Sequence, residues 1–112
     1  MEDREYKNYL IRQRILSAIR QNLKEEYMVD LTSRQLETLL LIGDKTKIKR
    51  PTTRDEIAKK LNLDRANISN YIKYLSNITP PLVADKPAIA NNDSKNIYLT
   101  PHGMTLYRRV RG

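Results

Sequence analysis

The chain has 112 residues, 39% hydrophobic and 30% charged, with no Cys and one His; this fits one domain, or a small domain with an extra helix, and excludes disulfides, thiolate catalysis and Cys- or His-cluster metal sites. The longest strongly apolar run, Leu39 to Ile42, is four residues, and the start reads Met1-Glu2-Asp3-Arg4-Glu5, so neither a membrane span nor a signal peptide is expected. The formal net charge is +8: residues 1–31 hold six basic and six acidic side chains and residues 32–112 hold 15 and seven, an asymmetry that points the second segment at a polyanion, most simply nucleic acid.

From about Asp3 to Tyr27 there is no Gly or Pro, and apolar residues recur at helical spacing. Ile11, Ile15, Ile19, Leu23 and Tyr27 step by four, while Tyr9, Leu16 and Leu23 step by seven. A helix of about 24 residues would reach about 36 Å, longer than a small domain is wide. Its stripe then meets a second copy of the chain, unless the helix folds back over the core. The first reading makes residues 1–31 a dimerisation arm using Tyr9, Ile11, Ile15, Leu16, Ile19 and Leu23, and leaves 32–112 as a separate domain.

A second helix is predicted from Thr32, where Thr32 and Gln35 have capping-box spacing. Leu36, Leu39, Leu40 and Ile42 form its buried face, and Gly43 suits the left-handed residue that ends a helix. Asp44 to Pro51 reads as a basic loop closed by Pro, ending in a short strand that leads into Pro51-Thr52. Thr53 and Glu56 form another capping box, ahead of a helix that buries Ile57, Ala58 and Leu61. Asn62-Leu63-Asp64 interrupts the pattern, and Asp64 is placed to cap a helix from Arg65 to about Ile78. Ile68, Ile72 and Leu75, with Tyr71, mark its inward face; Arg65, Asn67, Ser69, Asn70, Lys73 and Tyr74 are outward or flanking.

Two short helices joined by a tight turn, the second exposing polar side chains, have helix-turn-helix geometry. Pro80-Pro81 stops the second helix. Leu82 to Ala84 and Asn96 to Leu99 read as strands on either side of a polar, turn-rich stretch from Asp85 to Lys95. Thr100-Pro101 then opens a last helix with Met104, Leu106, Tyr107 and Val110 as its apolar positions. A hairpin directly after a helix-turn-helix is a wing. The expected fold is therefore mainly α with a small β-hairpin wing, a winged helix-turn-helix preceded by a long N-terminal helix.

Leu31-Thr32 with Gln35 and Leu39, then Thr53 to Leu61, Ile68 to Leu75 and Leu99 to Leu106 follow one another in a telling order. From Leu31 to about Leu106 the chain resembles the MarR family of winged-helix transcription regulators. The resemblance implies a dimeric regulator of double-stranded DNA in the cytoplasm of a prokaryotic cell or of the host of a virus or plasmid. Three departures stand out. Pro80-Pro81 replaces the Gly usual before the first wing strand, and Asp93-Ser94-Lys95 replaces the common Asp-x-Arg. The chain is also expected to lack the family's long helices after the wing, so that dimerisation would rest on the N-terminal helix.

The expected mechanism sends the Arg65–Tyr74 helix into the major groove. Asn67 and Asn70 suit adenine, Arg65 guanine or phosphate, and Ser69 either base or phosphate. Lys73 and Tyr74 would touch the DNA backbone, Thr53 and Arg54 would anchor phosphates, and Lys86 and Lys95 would carry the wing. The alternatives are a partition, replication-origin or architectural DNA-binding protein, or a winged helix that binds another protein. An enzyme is the least expected class, because Asp55-Glu56 is explained by capping and there is no Gly-rich phosphate loop. His102 reads as a surface residue, and Tyr9, Tyr27, Tyr71, Tyr98 and Tyr107 read as core packing. Nothing in the sequence identifies an effector pocket.

Overall fold

The computed structural model describes residues 3–50, 52–87 and 95–111, the side chains of residues 3, 86, 87 and 95 excepted. Among these are five helices and one antiparallel hairpin: α1 (Asp3–Tyr27), α2 (Ser33–Lys47), α3 (Arg54–Leu61), α4 (Arg65–Asn77), β1 (Val83–Pro87), β2 (Lys95–Leu99) and α5 (Pro101–Arg111). The chain divides into two compact units, Met1–Leu36 and Glu37–Gly112.

In the first unit, α1 ends on Met28, whose φ of 57° is left-handed and whose N–H reaches the Lys24 carbonyl at 3.0 Å. The Arg20 side chain holds the chain that follows, donating Nε–H to the Leu31 carbonyl at 2.6 Å and reaching Ser33 Oγ at 3.3 Å. The capping box forms in full: the Gln35 N–H donates to Thr32 Oγ1 at 3.2 Å, and the Thr32 N–H donates to Gln35 Oε1 at 2.9 Å.

The apolar stripe of α1 is divided rather than continuous. Leu16 and Leu23 are buried within the chain, at 7% and 1% exposure, and Ile19 is half-buried. Tyr9, Ile11 and Ile15 stand more than half exposed, with Tyr6 and Leu10 beside them. Leu16 and Leu23 therefore have little surface left for a partner, which corrects their grouping with the other four. Tyr9 is likewise not a core residue.

In the second unit, α2 does not end at Gly43. It runs four residues further, to Lys47, and closes in a Schellman motif centred on Lys49, whose φ is 56°. The Arg50 N–H reaches the Lys45 carbonyl, and the Lys49 N–H reaches that of Thr46, each at 3.0 Å. Gly43 is needed for room instead: a Cβ there would lie 2.1 Å from Cδ2 of the Tyr107 ring. Most of the expected basic loop is thus helix and a hydrogen-bonded turn, while Pro51 lies outside the described residues.

α3 begins as expected, with Thr53 Oγ1 accepting from the Glu56 N–H at 3.2 Å; Glu56 Oε2 takes the Thr52 hydroxyl at 3.3 Å. The turn to α4 is a second Schellman motif, with Asn62 left-handed and the Leu63 N–H bonded to the Ala58 carbonyl at 3.0 Å. Asp64 stands at the N-cap of α4, but its side chain makes no capping hydrogen bond, contrary to expectation. Its carbonyl alone starts the helix, accepting from the Ile68 N–H at 3.2 Å.

The wing pairs Val83 with Leu99 at its root and Pro87 with Lys95 at its far end. β1 is longer than expected, taking in Asp85 to Pro87, and the turn-rich residues 88–94, with Asp93-Ser94, lie outside the described residues. Thr52 adds a bridge on the other side of β2, accepting from the Ile97 N–H at 2.8 Å. The Thr79–Pro80 peptide bond, in the corner between α4 and the wing, is cis.

Leu82 joins three elements. Its N–H donates to the Leu75 carbonyl of α4 at 2.9 Å, and its carbonyl accepts from the Thr100 N–H at 3.0 Å. Thr100 caps α5, accepting the Gly103 N–H at 3.0 Å. Gly103 passes so close to Leu82 that a Cβ would lie 2.1 Å from its carbonyl oxygen. The core of this unit is Leu39, Ile42, Ile57, Ile68, Ile72, Leu75, Leu82, Ile97 and Leu106. Tyr107 packs with them, whereas Tyr71, Tyr98 and His102 are half-buried.

Candidate nucleic-acid interface

α4 has one apolar face and one polar face, as a helix seated on a core must. Ile68, Ile72 and Leu75 are at 0–1% exposure and hold it down. Arg65, Asn67, Asn70 and Lys73 are exposed; Ser69 is half-buried; Tyr74 is 37% exposed. Asn67, Asn70 and Tyr74 are spaced three and four apart, so they lie along one line of the helix. The inference from spacing missed Ala66, which is exposed between Arg65 and Asn67. Its methyl carries no hydrogen-bonding group, the signal by which its neighbours stand out in the sequence.

Two of the expected phosphate ligands already have partners. Arg54, at the first turn of α3, donates from Nη2 to Asp85 Oδ2 at 3.2 Å, and its side chain is only 20% exposed. This ion pair fastens the start of α3 to β1. Arg65 faces Asp55 Oδ1 at 3.4 Å, both side chains being about 60% exposed. An exposed pair of that kind is worth about 0–1 kcal/mol, so it orients Arg65 without holding it. Asp85 was not singled out from sequence, and Asp55 was read only with the α3 cap, because their partners Arg54 and Arg65 lie 31 and ten residues away in the chain.

Thr53 is half-buried, with its oxygen engaged as the α3 cap. The backbones of Lys86 and Lys95 lie in the outer half of the wing, Lys86 opposite Asn96 and Lys95 opposite Pro87; their side chains are outside the described residues. α4, the start of α3 and the wing therefore belong to one continuous unit. The three are joined by the Asn62 turn, the Arg54–Asp85 pair and Leu82.

Among the described residues, no three His, Cys, Asp or Glu side chains converge as a metal site would require. Nor, among the described residues, is any helix long and apolar enough to cross a membrane. No protein-family model matches the sequence, and no curated protein matches it either.

Solved structures do match. MepR, a transcription regulator of the Staphylococcus aureus multidrug efflux pump MepA, superimposes with a TM-score of 0.71 at 23% identity over 96% of this chain and 73% of its own. The chain has a winged-helix fold. Streptococcus pneumoniae FabT in complex with DNA gives 0.77 at 16% identity, over 98% of this chain and 74% of its own. A protein described as a MarR family transcriptional regulator from Listeria monocytogenes, complexed with 26mer DNA, gives 0.75 at 22% identity, over 99% and 68%. On this winged-helix frame, α3 and α4 are the helix-turn-helix and β1–β2 is the wing.

Proposed function

We propose that this protein is a sequence-specific binder of double-stranded DNA and a transcriptional regulator, acting as a dimer in the cytoplasm of a prokaryotic cell or of the host of a virus or plasmid, without enzymatic activity. The observation that carries the proposal is the outward face of α4. An exposed line of two amides flanked by Arg65 and Lys73 is backed by a wholly buried apolar face. Such a helix presents base-reading groups rigidly, and its fold neighbours MepR and FabT are a transcription regulator and a protein solved on DNA.

Each residue then has a task. Asn67 and Asn70 read adenine edges, Arg65 leaves Asp55 for guanine or phosphate, and Ser69 adds a base or phosphate contact. The exposed Ala66 methyl suits contact with a thymine methyl. Lys73 and Tyr74 meet the DNA backbone, as do Thr53, Lys86 and Lys95. Arg54 acts through Asp85, setting the wing against the helix-turn-helix.

Dimerisation uses the outer half of α1. Tyr6, Tyr9, Leu10, Ile11 and Ile15 are five large apolar side chains left exposed within ten residues, unusual for a helix with no partner. A symmetric dimer sets two recognition helices about 34 Å apart, one DNA turn, and demands a palindromic site. Selection of sites from random duplex, with sizing of the complex, tests both halves. A palindrome bound by two chains supports the regulator. A short repeated site coated by many chains points to partition or architecture, and a Kd weaker than millimolar at low salt points to a protein partner.

A further inference from the structure

The base-reading face leaves most of the positive charge of the second segment unused. Of the 15 Lys and Arg after residue 31, Arg54, Arg65, Lys73, Lys86 and Lys95 belong to α3's start, α4 and the wing, and ten do not. Several of those ten gather at the opposite end of the wing, where the end of α2 meets α5. There a cleft of about 400 Å³ is lined by Thr46, Lys47, Lys49, Met104, Tyr107 and Arg108. Among the described residues no acidic side chain lines it. Lys47, Lys49 and Arg108 are exposed, and none of the three has an ion pair among the described residues. Asp44, three residues before Lys47 in α2, is already committed to the Tyr107 hydroxyl and to Arg111 at 3.1 Å.

The cations sit on a built frame. The Thr46 hydroxyl donates to the Ile42 carbonyl at 2.9 Å and accepts from the Leu99 N–H at 3.1 Å, locking the end of α2 to the wing root. Lys49 occupies the left-handed position of the Schellman turn, with φ 56°. Glycine is the usual residue there, since it bears no Cβ penalty. A lysine at that position sacrifices some stability, and such backbone outliers gather at functional positions.

We propose that the α2–α5 cleft is a second polyanion surface that takes the phosphate backbone of a second DNA duplex. The inference rests on the reading of the protein as a DNA binder. Charge complementarity selects the partner: cations spread over two elements, open to solvent and without an enclosing polar shell, match a charged rod better than a small anion. The site is set back from the outer end of the wing: Thr46, in its lining, bonds Leu99, which lies four residues, or about 13 Å, along β2 from Lys95. Duplex DNA is stiff over about 150 base pairs, so a duplex seated on α4 and the wing tip does not turn back into the cleft. A second duplex can, and one protein would then hold two DNA segments together.

The test uses the full chain. A biotinylated duplex carrying a selected site is fixed to beads, and capture of a free fluorescent duplex without the site is measured with and without protein. The comparison is Lys47→Gln/Lys49→Gly/Arg108→Gln, with single-duplex Kd by fluorescence anisotropy and thermal melting in parallel. The triple variant is expected to lose at least fivefold in capture, to change single-duplex Kd by less than threefold, and to melt no lower than wild type. Capture equal to wild type overturns the second surface, as does wild-type protein that binds its site tightly and captures nothing. Wild-type protein that binds no duplex of any sequence overturns the DNA-binding reading itself, and the second surface with it.

Discussion

The outward face of α4 and the joint between α2 and α5 are built on opposite plans. α4 is held by its buried apolar face and by the Leu82 N–H bond to its Leu75 carbonyl, and its exposed residues make few ties to the rest of the unit, the Arg65–Asp55 pair being a weak one. The α2–α5 joint is fastened by specific contacts. Gly43 admits the Tyr107 ring, the Tyr107 hydroxyl donates to Asp44, Arg111 closes on the same carboxylate, and Thr46 bonds the wing root. A surface whose side chains carry no part of the fold is free to be changed to suit a DNA sequence. A joint whose side chains are the fold is not. Substitutions on α4 should therefore move binding without stability, and substitutions inside the joint should do the reverse.

The hardest test of the joint is Gly103→Ala. Helix propensity alone favours alanine by about 1 kcal/mol. Here the new Cβ would meet the backbone carbonyl of Leu82, which cannot rotate away and which holds α4, the wing and α5 together. We expect a loss of at least about 3 kcal/mol, read as a fall in the urea midpoint at unchanged slope. A stabilised variant would show that α5 is loosely seated. Gly43→Ala should cost less, about 2 kcal/mol, because its obstacle is a buried side chain. Tyr107→Leu in the same chain should recover part of that loss, a coupling a double-mutant cycle resolves.

For α4 the expected pattern is reversed. Asn70→Ala should cost about 1–3 kcal/mol in binding a selected site, measured by anisotropy, while stability stays within about 0.5 kcal/mol of wild type. A matching loss on random duplex would make Asn70 a backbone contact instead of a base reader.

What sequence revealed and what it hid follow the range of the interactions. The caps at Thr32, Thr53 and Thr100 are local hydrogen bonds over three residues, and all were legible. So were α3, α4 and the root of the wing, whose burial follows helical or strand periodicity. The end of α2 was not: Gly43 carries the signature of a C-cap, and only the distant Tyr107 ring makes it an interior residue. Asp64 has the right type and place for a cap, and its side chain does not make the bond. Periodicity in α1 identified the apolar residues but not which the chain itself would bury, so Leu16 and Leu23 were grouped with the exposed Ile11 and Ile15. In the candidate interface, the outward residues of α4 were legible from their spacing. The Arg54–Asp85 pair was not, because it joins residues 31 apart.

The smallest expected effect lies in the same joint and is read through pH. Burial, and then the hydrogen bond to Asp44, favour the neutral phenol of Tyr107 and raise its pKa above the usual 10.0. In the unfolded chain the group titrates near its ordinary value, about 10. As pH rises past that point the unfolded state loses its proton first, so the unfolded state binds fewer protons than the folded one and stability falls. The contribution of the phenol is thus fully present below about pH 10 and is lost as pH climbs through the raised folded-state value. Tyr107→Phe keeps the ring over Gly43 and removes only the titrating group. Wild type should be the more stable of the two in urea at pH 8.5, and the gap should narrow by pH 11. A gap unchanged across that range would mean that the hydroxyl contributes through packing alone and that Asp44 is not what fastens α5 to α2.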